Sequence, residues 1–174
     1  KGTLIYSNST QQDAGGIYTS GRLKVLNSSF AANRVPSGRN GAAMMIETGL
    51  DSSLLVNNIF YNNDDGIYKS NGKLVAYNNY FSEIDSQLDI ILGSNNTFSD
   101  LDPFTNSSNK DYSLSNTSNQ IGSGRLNTVF YGTNFAVPAI DVIGTVRPTP
   151  SGSNPDLGAI ENPLASGIPS VVSI

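Results

Sequence analysis

The sequence predicts an all-β chain wound as a right-handed parallel β-helix, with three short strands per coil and an irregular C-terminal cap. Three observations predict it. First, an Asn is followed three residues later by a Phe four times in succession: "NSSF" at 27–30, "NNIF" at 57–60, "NNYF" at 78–81 and "NNTF" at 95–98. Second, each copy follows a short apolar run of strand-forming composition. Third, hydrophobic residues make up 37% of the 174-residue chain, against a globular average of roughly 45–50%, and charged residues only 14%. Asn, Ser, Thr and Gly dominate instead, which suits turns and short strands and opposes an amphipathic helical bundle.

The elements follow in order. "GTLIYSNST" from Gly2 reads as the closing part of a coil, so the stack is expected to continue a longer solenoid. "GGIYTSG" from Gly15, "GAAMMIETG" from Gly41 and "DGIYKSNG" from Asp65 each set an apolar strand between turn residues. The second strand of each coil is then "LKVL" (23–26), "LLV" (54–56), "LVAY" (74–77) and "IIL" (90–92). The Asn-x-x-Phe unit supplies the turn and the third strand, and Phe-x-x-Asn follows it at 30–33 and 60–63.

Physical roles follow from this layout. Asn27, Asn57, Asn78 and Asn95 should turn the chain, because Asn tolerates the left-handed conformation better than other residues with a side chain. Stacked coil on coil, their amides are expected to form a hydrogen-bonded ladder. Phe30, Phe60, Phe81 and Phe98 should point inward and stack, filling a narrow core. The intervals between copies are 30, 21 and 17 residues. Such drift is tolerable because each doubling of an outward loop costs only ~0.6 kcal/mol. On this reading the coils occupy 1–98, and 99–174 form a region that caps the last open strand edge.

Some of these residues carry a family resemblance. "GGIY" with "FAAN", and "FYNN" with "DGIY", resemble the repeats of polymorphic outer-membrane proteins and bacterial autotransporter passengers. "LDPFTNSSNKDYSLSNTSNQIGSG" (101–124) and "DVIGTVRPTPSGSNPDLGAIEN" (141–162) resemble the closing segments of the choice-of-anchor Q class of secreted bacterial β-helix proteins. Asn119-Gln120 stands where that class has Pro-Ala, and Ile160 where it has an aromatic residue. The resemblance implies an architecture and an extracellular or cell-surface address rather than an activity.

The chemistry available is restricted. The chain has neither histidine nor cysteine, which removes Ser-His-Asp and Cys-His catalysis, disulfides, and His- or Cys-ligated metals from it. The net charge of -4, without a Lys/Arg cluster, opposes nucleic-acid binding, and no apolar run is long enough to insert in a membrane. Asp64 and Asp65 beside Lys69, and Asp100 with Asp102, are the candidates for lyase or hydrolase chemistry or for a calcium ion. Both pairs also read as ordinary turn formers.

Five Asn-x-Ser/Thr sequons occur, at Asn8, Asn27, Asn95, Asn106 and Asn116. Asn27 and Asn95 are expected to be locked in the ladder and unavailable for glycosylation. Tyr18, Tyr61, Tyr68 and Tyr77 are candidates for a carbohydrate-binding face, since a phenol combines a stacking plane with a hydroxyl. The function expected is a structural and binding module, an adhesin stalk or a matrix or filament component. Its partners would be a polysaccharide, a host or neighbouring cell surface, or a second copy joined through the open edge, with no cofactor beyond calcium. The alternative is the non-catalytic end of a polysaccharide lyase or hydrolase whose active coils lie upstream.

Overall fold

In the computed structural model the residues described are 1–47, 52–71, 73–82 and 90–168. The chain enters through β1 (Leu4–Tyr6) and then makes circuits of three strands. The first is β2 (Ile17–Thr19), β3 (Lys24–Leu26) and β4 (Ser29–Ala31). The second is β5 (Met44–Ile46), β6 (Ser53–Val56) and β7 (Ile59–Tyr61), and the third β8 (Ile67–Lys69), β9 (Leu74–Tyr77) and β10 (Tyr80–Phe81). β11 (Ile90–Leu92) and β12 (Thr97–Phe98) follow. Each strand pairs in parallel with its counterpart one circuit on. The result is three sheets, ordered β1-β4-β7-β10-β12, β3-β6-β9-β11 and β2-β5-β8. The arrangement is all-β, with parallel strands in stacked sheets and no α-helix among the described residues, and it is compatible with a parallel β-helix.

The register explains why two- to four-residue strands suffice. Phe30 pairs with Phe60 and Phe60 with Phe81, then Phe81 with Phe98, so like side chains recur at ladder spacing. All three sheets contribute to one inner cluster that includes Phe30, Phe60 and Phe81, Met44 and Ile67, and Leu55 and Ala76. Close packing of the turns needs small residues: a Cβ on Gly16 would lie 2.4 Å from the Ala43 carbonyl oxygen.

Residues beyond 98 build two antiparallel hairpins, joined and followed by irregular chain. One is β13 (Phe104–Asn106) with β14 (Asp111–Leu114), around a single 3-10 turn at Ser107–Asn109; the other is β15 (Asn127–Phe130) with β16 (Thr133–Ala136). Both hairpins pack against the flanks of the parallel sheets. The first hairpin packs Phe104, Tyr112 and Leu114, with Ile121 and Leu157, over Ala31, Ile59 and Tyr80 on the outer side of the first sheet. The second packs Phe130 over Leu26, Leu54 and Val56 of the second sheet.

The physical cause is that these strands are apolar on both sides, and each outward Leu, Ile or Val gains ~1.5–3 kcal/mol from burial. Lys1 Nζ donates to the Ala136 carbonyl, and the Tyr6 ring lies tilted against Tyr112 at 5.0 Å, so the flanking chain reaches the start of the sheets. At the other end Phe98 stays 52% exposed. The third sheet contributes to the inner cluster alone, through Met44, Ile46 and Ile67.

Candidate functional site

The four Asn of the repeat share one backbone conformation. Asn27, Asn57, Asn78 and Asn95 have φ of 47°, 56°, 51° and 63°, the left-handed region that Asn enters most easily among residues with a side chain. Their side chains do not form a continuous ladder. Asn57 Nδ2 donates to Asn27 Oδ1 at 3.3 Å, but Asn78 Oδ1 is buried without a partner. Instead the amides turn outward to the C-terminal chain. Asn27 Nδ2 donates to the Asp156 carbonyl (3.1 Å), Asn57 Nδ2 to the Arg125 carbonyl (2.8 Å) and Asn78 Nδ2 to the Ser123 carbonyl (2.8 Å).

The amide ladder runs one residue later than expected. Asn58 Nδ2 donates to Asn79 Oδ1, and Asn79 Nδ2 to Asn96 Oδ1, each at 3.0 Å, and each acceptor also takes the backbone N–H of the preceding Asn. The displacement has a geometric cause. The residue in the left-handed conformation directs its side chain out of the corner, and the next residue turns inward along the stack. A second ladder, Asn8 to Asn33 to Asn63, closes the far end of the same strands with amide bonds of 2.9 and 2.8 Å.

The phenylalanine column is continuous. Phe30 and Phe60 stack at 4.9 Å and 12°, Phe60 and Phe81 at 5.2 Å and 10°, and Phe81 and Phe98 at 5.5 Å and 19°. Phe98 ends the column half-exposed rather than filling a core. Asn95, expected to be locked away, is also exposed, whereas Asn27 is fully buried.

The carboxylates singled out from the sequence are occupied by loop geometry. Asp64 accepts the Val35 N–H and pairs with Arg34 at 3.3 Å, while Asp65 accepts the Gly41 N–H at 2.7 Å. Asp102 accepts the Phe104 N–H and the Ser107 hydroxyl, and Asp100 is exposed. No group of three or more acidic side chains able to hold a metal occurs among the described residues. Lys69 is buried and engaged.

The tyrosines divide by sheet. Tyr61 packs edge-on against Phe104 at 5.9 Å, and Tyr77 lies under the Arg125 guanidinium at 4.6 Å, so the flanking chain takes both. Tyr18 and Tyr68 lie on the third sheet, in one cross-strand column with Met45 between them. Tyr18 is 59% exposed, and its hydroxyl donates to Glu47 at 2.7 Å; that hydrogen bond, with the carboxylate charge behind it, raises the phenol above its ordinary pKa.

Sequence reasoning missed one constellation, the charged knot behind the segment 155–162. Arg147 Nη1 meets Glu161 Oε2 at 2.7 Å with both side chains fully buried. Asp156 is fully buried beside them, its oxygens accepting the Gly122 and Asn162 N–H groups at 2.7 and 2.6 Å. Asp141 accepts three further backbone N–H groups, from Ile143, Thr145 and Glu161. Burial lowers the pKa of Arg147 and raises that of Glu161, and it pushes Asp156 up to about 7. The signal was present as four charged residues within an otherwise uncharged stretch. Their burial could not be read without knowing that the stretch folds back on the coils.

Among the described residues, then, the geometry offers a tyrosine column on the third sheet and a buried ion-pair knot. Comparison with known proteins finds no matching family model, no similar curated protein and no similar solved structure, and so adds no support to either family resemblance.

Proposed function

We propose that the chain is a right-handed parallel β-helix module of a secreted or cell-surface protein, with a structural and binding role as a stalk, matrix or filament component. Its ligand is a polysaccharide laid along the third sheet. The observation that carries this reading is the division of labour between the faces. The chain's own C-terminal residues fasten to the first and second sheets, while the third bears an exposed Tyr18 in one column with Tyr68.

Two strand spacings separate these tyrosines, roughly 10 Å along the stack, about the length of two pyranose rings joined end to end. Sugar rings present apolar C–H faces to aromatic planes and hydroxyls to phenols, so alternate residues of an extended glycan would meet Tyr18 and Tyr68. The absence of histidine and cysteine costs such a role nothing. A stack of short paired strands supplies stiffness and a long lateral surface.

Affinity electrophoresis through gels containing neutral or acidic polysaccharides tests the proposal. Tyr18→Ala and Tyr68→Ala should each abolish retardation, while Tyr77→Ala, which lies under Arg125, should leave it within twofold. Equal loss in all three, or no retardation of the native chain by any glycan, would overturn the reading. Release of unsaturated products that disappears in Asp64→Asn would replace it with the lyase alternative.

A further inference from the structure

The charged knot joins two parts of the molecule. On one side Arg147 Nη1 and Nη2 donate to the carbonyls of Asp156 and Gly158, each at 3.3 Å. On the other side the same short segment grips the corner of the coils. The Asp156 carbonyl accepts from Asn27, the Gly158 N–H donates to the Asn57 carbonyl, and the Ala159 N–H donates to Ser29 Oγ. Gly158 has φ +84°, and a Cβ there would lie 2.6 Å from Ser29 Oγ, so the strap sits flush against the coil.

The charges in the knot do not balance. Three carboxylates, Asp141, Asp156 and Glu161, lie within 5% of full burial around the single guanidinium of Arg147. Among the described residues, the groups that the other elements bring against the strap are uncharged. The coils present neutral Asn27, Ser29 and Asn57, the segment before the second hairpin presents the Gly122 N–H, and the first hairpin presents Leu114 and Asn116 to Asn162. Arg125 is turned away over Tyr77.

We propose that this knot is a proton-operated latch: a proton held at Asp156 closes the strap 155–162 on the Asn27 and Asn57 corner, and its loss to solvent loosens the strap. Burial of Asp156, with Glu161 adding repulsion, outweighs the two N–H donors and Arg147, and its pKa rises from 3.8 to about 7. A carboxyl whose folded pKa lies above its unfolded value takes up a proton on closing. The latch is therefore tightest on the acid side, weakens as pH rises from about 4 towards 7, and is constant above that.

Hydrogen exchange of the intact chain, read in peptides covering 155–162 and 120–125 and corrected for the intrinsic pH dependence of exchange, tests this. Protection should fall about tenfold between pH 6 and pH 8, with peptides of the inner strands unchanged. Asp156→Asn should hold these peptides at one level across that range. Independently of any variant, the Asp156 carboxyl carbon should titrate in the native protein with a midpoint near 7. Constant protection in the native chain, a slope that survives in Asp156→Asn, or a carboxyl midpoint below about 5 would each overturn the proposal.

Discussion

Replacing Phe60 by Ala should be among the most damaging single truncations in the molecule. Phe60 is 1% exposed and lies between two parallel rings, Phe30 at 4.9 Å and Phe81 at 5.2 Å. Removing a buried ring of this kind costs about 3–5 kcal/mol through lost transfer energy and the cavity left behind. The flanking rings are held in place by strand pairing on both sides and cannot collapse to fill the gap, which argues for the upper end. At about 2–4 °C per kcal/mol for a chain of this size, the midpoint of thermal unfolding should drop by roughly 10–20 °C. Phe98→Ala is the internal control, because Phe98 has one ring neighbour, at 5.5 Å, and is 52% exposed. It should cost about 1 kcal/mol. Thermal and urea unfolding of both variants decide the matter. Equal losses, or a Phe60→Ala penalty under about 1 kcal/mol, would refute the continuous aromatic column as a principal source of stability.

Two further substitutions probe the corner and the knot. Asn79→Ala strips the acceptor from the backbone N–H and side-chain amide of Asn58. Urea unfolding should show a loss of about 2–4 kcal/mol, whereas Asn95→Gly, at an exposed position with φ 63°, should change stability by less than about 0.5 kcal/mol. Arg147→Met leaves Glu161 buried and unpaired, and calorimetry should record a loss of about 3–5 kcal/mol; a smaller loss at pH 5 than at pH 8 would follow from protonation of the abandoned carboxylate.

Much of the parallel-sheet part was legible because one short motif fixes both a backbone conformation and a core side chain. The left-handed turn at Asn27 and the stacked ring at Phe30 are local consequences of residue type, so they recur wherever the motif does. The ladder was misplaced by one residue because Asn27 is followed by Ser28, which conceals the pattern that Asn57-Asn58, Asn78-Asn79 and Asn95-Asn96 display. In each doubled Asn the first turns the chain and the second bonds along the stack. Phe-x-x-Asn recurs at 30–33 and 60–63, but the second ladder begins at Asn8, which carries no such motif.

The C-terminal region was harder to read for a different reason. Its partners lie far away in sequence, 130 residues in the case of Ala159 and Ser29 and 135 in that of Ala136 and Lys1. Its segments have little regular structure to betray which surface they cover. The apolar outer residues Leu26, Leu54 and Ile59 were the available clue that two of the sheets need a covering on their outer sides.

The strap's contacts with the corner also govern how the protein can change length. Asn27, Asn57 and Asn78 belong to three successive circuits, and they are met by the carbonyls of Asp156, Arg125 and Ser123, drawn from two adjacent chain segments joined by the Gly124 N–H to the Pro155 carbonyl. These segments act as a ruler whose marks match the rise of the coils. An added or deleted circuit between residues 27 and 78 would misplace every later mark by one strand spacing, and no shift of the ruler could restore them all. Repeat proteins ordinarily grow or shrink by whole units. In this molecule the contacts of Asn27, Asn57 and Asn78 hold the measured stretch at three circuits.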